Sequence, residues 1–150
     1  MTIRPPRLAD LTAVHAVETA VFGSHVYPDF FFRQAFDLWP GLFFVADGGD
    51  GELDGYIVGA PSETPGAAWV LSLAVRARAR GRGVGRALSE ALIAALAARG
   101  AGSLTLTVDP ANAGAVALYR KLGFAAVGEE TAYFGPGEAR RVMRLALPAR

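Results

Sequence analysis

Apolar residues recur at Leu8, Leu11, Val14, Val17 and Val21, the spacing of one helix face, and Gly23-Ser24 ends the run. The pattern predicts a first helix over 8–22. The aromatic-rich stretch from Tyr27 to Trp39 reads as a second helix, closed by Pro40-Gly41. Leu42–Ala46 and Leu53–Gly59 are β-rich runs on either side of Asp47-Gly48-Gly49-Asp50-Gly51, so they read as a hairpin. After the loop 61–66, Ala68–Val75 is an apolar strand. Val84, Leu88, Ala91, Leu92, Ala95 and Leu96 then mark one face of a long helix that ends at Gly100–Gly102. Leu104–Val108 is a strand closed by Asp109-Pro110. Asn112 suits the N-cap of a helix running to Leu122, with Gly123 at its C′ position. Thr2–Arg4 reads as a short opening strand, and Phe124–Val127 and Val142–Leu147 as two closing ones.

The middle order is strand, helix, strand, helix, strand, which implies parallel pairing with right-handed crossovers. The hairpins at both ends imply antiparallel pairing there. The fold class predicted is therefore α/β: a mixed sheet with helices on both faces, in one domain over 1–150.

Composition narrows the chemistry. Of the 150 residues, 52% are hydrophobic and 19% charged, enough apolar material for one packed core. Cysteine is absent, which excludes a disulfide scaffold, a thiolate metal site and a cysteine nucleophile. The two histidines, His15 and His25, have no metal-ligand spacing, so no metal is expected. A net charge of +1 gives no general attraction to nucleic acid. The opening Met1-Thr2-Ile3-Arg4-Pro5 lacks an apolar leader, and Ala87–Ala98 is too short to span a bilayer. A cytoplasmic protein without membrane contact is expected.

Basic residues nevertheless cluster at Arg76, Arg78, Arg80, Arg82 and Arg86. Within the cluster, Arg80-Gly81-Arg82-Gly83-Val84-Gly85 lies between a strand and a helix. The first N–H groups of a helix have no intrahelical partner, and the helix dipole adds positive charge at that end. Glycines let the backbone approach a phosphate without Cβ clashes. Arg80, Arg82 and Arg86 can add charge-assisted hydrogen bonds. A Walker A loop is excluded because no Gly-Lys pair occurs. A dinucleotide fingerprint is excluded because the sixth position from Gly81 is Arg86 and from Gly83 is Leu88. The alternative is a solvated basic loop that simply starts a helix.

A second motif follows after one helix and one strand: Asn112-x-x-Ala115-x-x-Leu118-Tyr119-x-Lys121-Leu122-Gly123-Phe124. With Arg80-x-x-Gly83-x-Gly85, it resembles the two central motifs of the GCN5-related N-acetyltransferase (GNAT) superfamily, over about Val70 to Leu147. It is mildly similar to the ribosomal-protein N-terminal (alanine) acetyltransferases. The resemblance implies a three-layer sandwich whose roughly seven-stranded sheet is splayed between the fourth and fifth strands. It implies an acetyl-CoA cosubstrate whose pantetheine arm pairs with the backbone of Leu73, Ala74 and Val75. The pyrophosphate would sit on the amides of Gly81, Arg82, Gly83, Val84, Gly85 and Arg86. Asn112 would contact the pantetheine end, and Tyr119 would protonate the leaving thiolate. Without the family, Asn112 reads as an N-cap and Tyr119 as core.

The resemblance leaves one role unfilled. An amine acceptor arrives largely protonated, since its pKa is about 8 to 10. Family members often carry a Glu on the fourth or fifth strand to take that proton. Here Trp69–Val75 has no carboxylate, and the matching position on the fifth strand is Thr107. The nearby candidates are Glu18, Asp29, Glu63, Asp109, Glu129 and Glu130, each expected to be a surface charge. A water chain through Ser72 or Thr107 is the other possibility. On the acceptor side, Phe30-Phe31-Phe32 cannot all face one way on a helix, and Tyr133-Phe134 lies between the last two strands. These aromatics suggest an apolar amine or a peptide N-terminus. The leading reading is an acetyl-CoA-dependent N-acetyltransferase whose acceptor, a small-molecule amine or peptide N-terminus, attacks directly in a ternary complex. The alternative is a non-catalytic acyl-CoA sensor on the same fold. Monomer and homodimer are both compatible with the sequence.

Overall fold

The computed structural model describes residues 1–148. In chain order the elements are β1 (Thr2–Arg4), α1 (Leu11–Phe22), α2 (Asp29–Leu38), β2 (Phe43–Asp47), β3 (Leu53–Pro61), β4 (Ala67–Val75), α3 (Val84–Ala98), β5 (Ser103–Val108), α4 (Ala113–Lys121), β6 (Ala125–Glu130) and β7 (Arg140–Ala146). Every predicted helix and strand is present, with ends shifted by a few residues. β6 runs on to Glu130, and the first helix starts three residues late because Leu8–Asp10 forms a separate 3₁₀ turn. The Asp10 carboxylate accepts the Arg7 N–H at 2.7 Å and holds the chain in that tighter turn.

The strands form one seven-stranded sheet in the order β1-β2-β3-β4-β5-β7-β6. β1, β2 and β3 pair antiparallel, β4 and β5 parallel, and β7 antiparallel to both β5 and β6. Registered pairing of β4 with β5 runs from Ala67↔Ser103 to Trp69↔Thr105, which is only the first part of β4. The rest of β4 belongs elsewhere. The chain forms two compact units: Met1–Ala60 with Leu71–Leu96, and Pro61–Val70 with the residues from Ala97 onward.

In the first unit β3 is the central strand. Gly55 to Ala60 are all buried, so both faces of the strand are covered. Successive side chains point to opposite faces. On one face Tyr56 and Val58 join Val14 and Val17 of α1 and Phe32 and Ala35 of α2 in a single apolar cluster. The Phe32 and Tyr56 rings meet edge to face at 5.3 Å. On the other face Gly55 lies under Leu88 of α3. A Cβ added to Gly55 would stand 2.6 Å from the Ala74 carbonyl oxygen and 3.3 Å from Leu88 Cδ1. The close approach of β3 to β4 therefore requires glycine there.

In the second unit the buried side chains include Leu104, Leu106, Val108, Val116, Tyr119, Phe124 and Met143. Asn112 caps α4 by accepting the Ala115 N–H at 3.1 Å. Gly123 at φ +100° sits at the C′ position and lets the Phe124 N–H reach the Tyr119 carbonyl at 3.0 Å.

Two stability predictions follow from the first unit. Gly55→Ala forces backbone or Leu88 to shift, and is expected to destabilise by about 2 kcal/mol or more in urea unfolding. At the N-terminus Arg4 bridges Asp10 at 2.7 Å and Asp47 at 3.3 Å. The Arg4 guanidinium lowers the Asp10 pKa to about 2. A lowered folded-state pKa contributes stability that is present above the unfolded value near 3.8 and is lost as pH falls toward 2. Discounted for solvent screening, the contribution is about 1 kcal/mol. Asp10→Asn should remove that amount at pH 7 and flatten the stability curve between pH 4 and 2.

Candidate functional site

β4 runs into a 3₁₀ turn at Ala77–Ala79, and the chain then enters α3 through Arg80–Gly83. Gly81 and Gly83 have φ of +76° and +78°, the left-handed region that favours glycine. A Cβ on either would meet no atom within 4 Å, so the loop is open on that side. The first helical hydrogen bond of α3 is from Ala87 N–H to the Gly83 carbonyl at 2.9 Å. Gly83 is thus the N-cap, and the N–H groups of Gly83, Val84, Gly85 and Arg86 precede the first intrahelical donor. These are the orphan amides of a helix start, at its electropositive end. The Val84 side chain is buried at 3% exposure and anchors the first turn to the core.

The arginines around this loop are mostly engaged. Arg76 donates to the Leu53 carbonyl at 3.0 Å. Arg78 forms ion pairs with Asp50, Glu52 and Asp54 at 3.0 to 3.3 Å. Arg80 Nε reaches back to the Val75 carbonyl at 3.3 Å, and Arg86 pairs with Glu90 at 2.8 Å. Arg82 is exposed and, among the described residues, forms no ion pair. The basic run is largely neutralised by its own neighbours and is no continuous polyanion stripe.

Leu73 and Val75 of β4 are half-buried and Ala74 is buried. They belong, with Arg80–Arg86, to the first unit. Asn112, the N-cap of α4, and Tyr119, in its last turns, belong to the second. The Oδ1 of Asn112 is committed to the α4 cap. Tyr119 is 8% exposed, with its ring against Phe124 at 5.6 Å. Burial pushes its phenol up to about 12, so it keeps its proton across the neutral range.

The carboxylates expected at the surface separate into two groups. Asp109 is exposed and accepts the Ala111 N–H at 2.9 Å in a turn. Glu129 pairs with Arg141 at 2.8 Å. Asp29, Glu63 and Glu130 are exposed. Glu18 differs and corrects the expectation: it is 1% exposed, inside the first unit. Its Oε2 accepts the Tyr27 N–H at 2.8 Å, and its Oε1 accepts the Tyr56 hydroxyl. Ser72 of β4 stands 2.7 Å from the Tyr56 hydroxyl and 3.4 Å from Glu18 Oε1. A buried carboxylate persists only where donors replace its lost water. The clue lies in the helical pattern. Leu11, Val14, Glu18 and Val21 fall on one stripe at three- and four-residue steps, so Glu18 occupies a core position of α1.

Over this cluster lie the aromatics. Tyr27 stacks on Phe31 at 4.1 Å and its hydroxyl donates to the Leu71 carbonyl at 3.3 Å. Phe32 is fully buried, Phe31 half-buried and Phe30 62% exposed, so the three consecutive rings do face different ways. His25 is exposed in the α1–α2 connection, and His15 is half-buried.

Comparison with known proteins gives a consistent result. The chain is similar over 99% of its length, and 95% of the other's, to the ribosomal-protein-S18-alanine N-acetyltransferase from Escherichia coli, at 26% identity and a TM-score of 0.84. It is similar to Naa20 of Chaetomium thermophilum, solved with a bisubstrate analogue, at 28% identity and TM-score 0.85, covering 98% and 87%. It is similar to nourseothricin acetyltransferase at 30% identity and TM-score 0.78, covering 98% of both chains. No curated protein sequence gives a match. The profile of the acetyltransferase (GNAT) family matches residues 11–124. With the seven-stranded mixed sheet and the glycine-bounded start of α3, that match establishes the chain as a member of the GNAT acetyltransferase family.

Proposed function

We propose that this enzyme uses acetyl-CoA and transfers its acetyl group to a primary amine by direct attack in a ternary complex. The observation that carries this reading is the start of α3. Free amides from Gly83 to Arg86 follow directly on β4, and two left-handed glycines leave the loop open. Such a cradle fits a pyrophosphate. The backbone of Leu73, Ala74 and Val75 would hold the pantetheine arm, and Asn112 would contact its pantetheine or cysteamine end. Bound acetyl-CoA supplies an activated acetyl thioester. A backbone N–H of β4 would donate to the developing oxyanion. The Tyr119 hydroxyl, protonated at neutral pH, would donate to the leaving sulfur.

The family profile runs across both compact units, which supports their working as a single domain over 1–150. The acceptor is a peptide N-terminus or a small-molecule amine. The similar alanine N-acetyltransferase argues for the first and nourseothricin acetyltransferase for the second. The half-buried Tyr27 and Phe31 favour an acceptor with apolar groups near its amine. No helix among the described residues is long and apolar enough to cross a membrane, and a cytoplasmic setting is part of this proposal. A non-catalytic acyl-CoA sensor is the second reading, kept by the lack of a carboxylate on β4 and on Ser103–Val108 of β5.

Calorimetry with acetyl-CoA tests the first claim: micromolar binding is expected, and no binding at tens of micromolar refutes it. Gly83→Ala puts a Cβ at φ +78°, at a cost of about 1–2 kcal/mol, and should weaken acetyl-CoA binding roughly tenfold. Thiol release with an amine panel separates enzyme from sensor. Tyr119→Phe should lower kcat by about 10²-fold or more while leaving acetyl-CoA affinity within a factor of about three. An unchanged kcat removes Tyr119 from the acid role.

A further inference from the structure

We propose that Glu18 is the proton acceptor of the transfer reaction, reached from the acceptor amine through Ser72 and Tyr56. This rests on the acetyltransferase reading above and supplies the base that neither β4 nor β5 carries.

The polarity of the hydrogen bonds defines the direction of the relay. A tyrosine hydroxyl has one proton. The Tyr56 hydroxyl donates that proton to Glu18 Oε1. In the 2.7 Å contact between Ser72 Oγ and the Tyr56 oxygen, Ser72 is therefore the donor. Its proton also faces Glu18 Oε1 at 3.4 Å. Both hydroxyl protons thus point inward to the carboxylate. The lone pairs of Ser72 Oγ are left to accept a proton from outside, and Ser72 is half-buried where Glu18 and Tyr56 are fully buried. Ser72 immediately precedes Leu73, the first of the residues assigned to the pantetheine arm, so the outer end of the relay lies on the strand that would carry the thioester.

The attacking species is the neutral amine, its ammonium proton already released to solvent. The amine nitrogen forms the bond to the acetyl carbon, and the carbon–sulfur bond breaks. The nitrogen proton passes to Ser72 Oγ, directly or through one water. The Ser72 proton passes to Tyr56, and the Tyr56 proton to Glu18 Oε1. The sulfur takes its proton from Tyr119. Return of the Glu18 proton along the same path, through solvent, restores Tyr119. The products are the amide and free CoA thiol. Glu18 is faced by the Tyr56 phenol from β3 and the Tyr27 backbone N–H from the α1–α2 connection, the Tyr27 phenol donating to the Leu71 carbonyl, and α2 contributes Phe31 and Phe32 against those two rings. Burial and the Glu18 charge push the Tyr56 phenol well above its usual range. Tyr56 therefore conducts only by receiving one proton as it releases another, and never as a free phenolate.

A purely structural Glu18 is a real competitor, because Oε2 also holds the Tyr27 N–H. The test therefore centres on Ser72→Ala, which cuts the relay and leaves that hold intact, with Glu18→Gln beside it. Acetyl-CoA binding is measured by calorimetry, and kcat by thiol release from pH 6 to 10 with a reactive amine. For Ser72→Ala the expected result is acetyl-CoA affinity within threefold of wild type and kcat at pH 7 lowered about 10²-fold. Its kcat should keep rising with pH where the wild type has reached its plateau, because solvent base must then take the proton. Ser72→Thr, which keeps a hydroxyl, should recover most of the rate. Unchanged kcat and pH profile in Ser72→Ala overturn the relay while leaving the acetyltransferase reading intact. A wild type that fails to bind acetyl-CoA, or binds it and acetylates no amine, overturns the reading and the relay with it. If Glu18→Gln does not fold, Ser72→Ala alone decides.

Discussion

A carboxylate buried to 1% exposure has to be surrounded by donors, and the first unit is arranged around that requirement. Glu18 sits on α1 and draws on the backbone of the α1–α2 connection and on the β3 tyrosine. Ser72 of β4 completes the group. Loss of the Tyr27 N–H or the Tyr56 hydroxyl, the two shorter bonds to the carboxylate, would leave it partly unsatisfied in an apolar cluster, at a cost of about 1–3 kcal/mol. Four chain segments are therefore held in mutual register by one side chain. Among the described residues no buried side-chain polar atom is left without a partner, as such a network requires.

The same strands lead into the loop proposed to hold acetyl-CoA. β3 and β4 approach so closely at Gly55 and Ala74 that no side chain fits between them. From Val75 the chain passes into the 3₁₀ turn and α3. Val84 buries the first turn of α3 from beneath, while Gly81 and Gly83 turn the backbone above it. The amides of the helix start are presented by these packing contacts, not by the arginines. Most of the arginines serve the scaffold: Arg76 and Arg78 tie the loop to the β2–β3 turn, and Arg86 is paired along its own helix.

Several of the proposed site residues also have a structural duty, and this limits what a single substitution reports. Asn112 caps α4 and Tyr119 packs on Phe124, so each is structural whatever else it contacts. Tyr27 closes over Glu18 and also reaches Leu71. Variants that keep shape and remove one proton, such as Tyr119→Phe and Ser72→Ala, separate the two kinds of role.

The order of elements, the hairpins, the cap at Asn112 and the glycine-bounded helix start were all legible in the sequence. They rest on periodicity, turn chemistry and capping, which act over a few residues. The open start of α3 was legible for the same reason, since a helix start needs nothing distant to expose its amides. The tertiary structure alone decided the fate of the charges. Glu18 and Glu129 are the same residue type, yet one is buried among hydroxyls and the other paired with Arg141 at the surface. The arginine cluster likewise became a set of local ion pairs once Asp50, Glu52 and Asp54 were folded beside it. Desolvation and pairing depend on groups tens of residues away in the chain. Local sequence therefore determined the backbone, and long-range packing determined which charged groups are free to do chemistry.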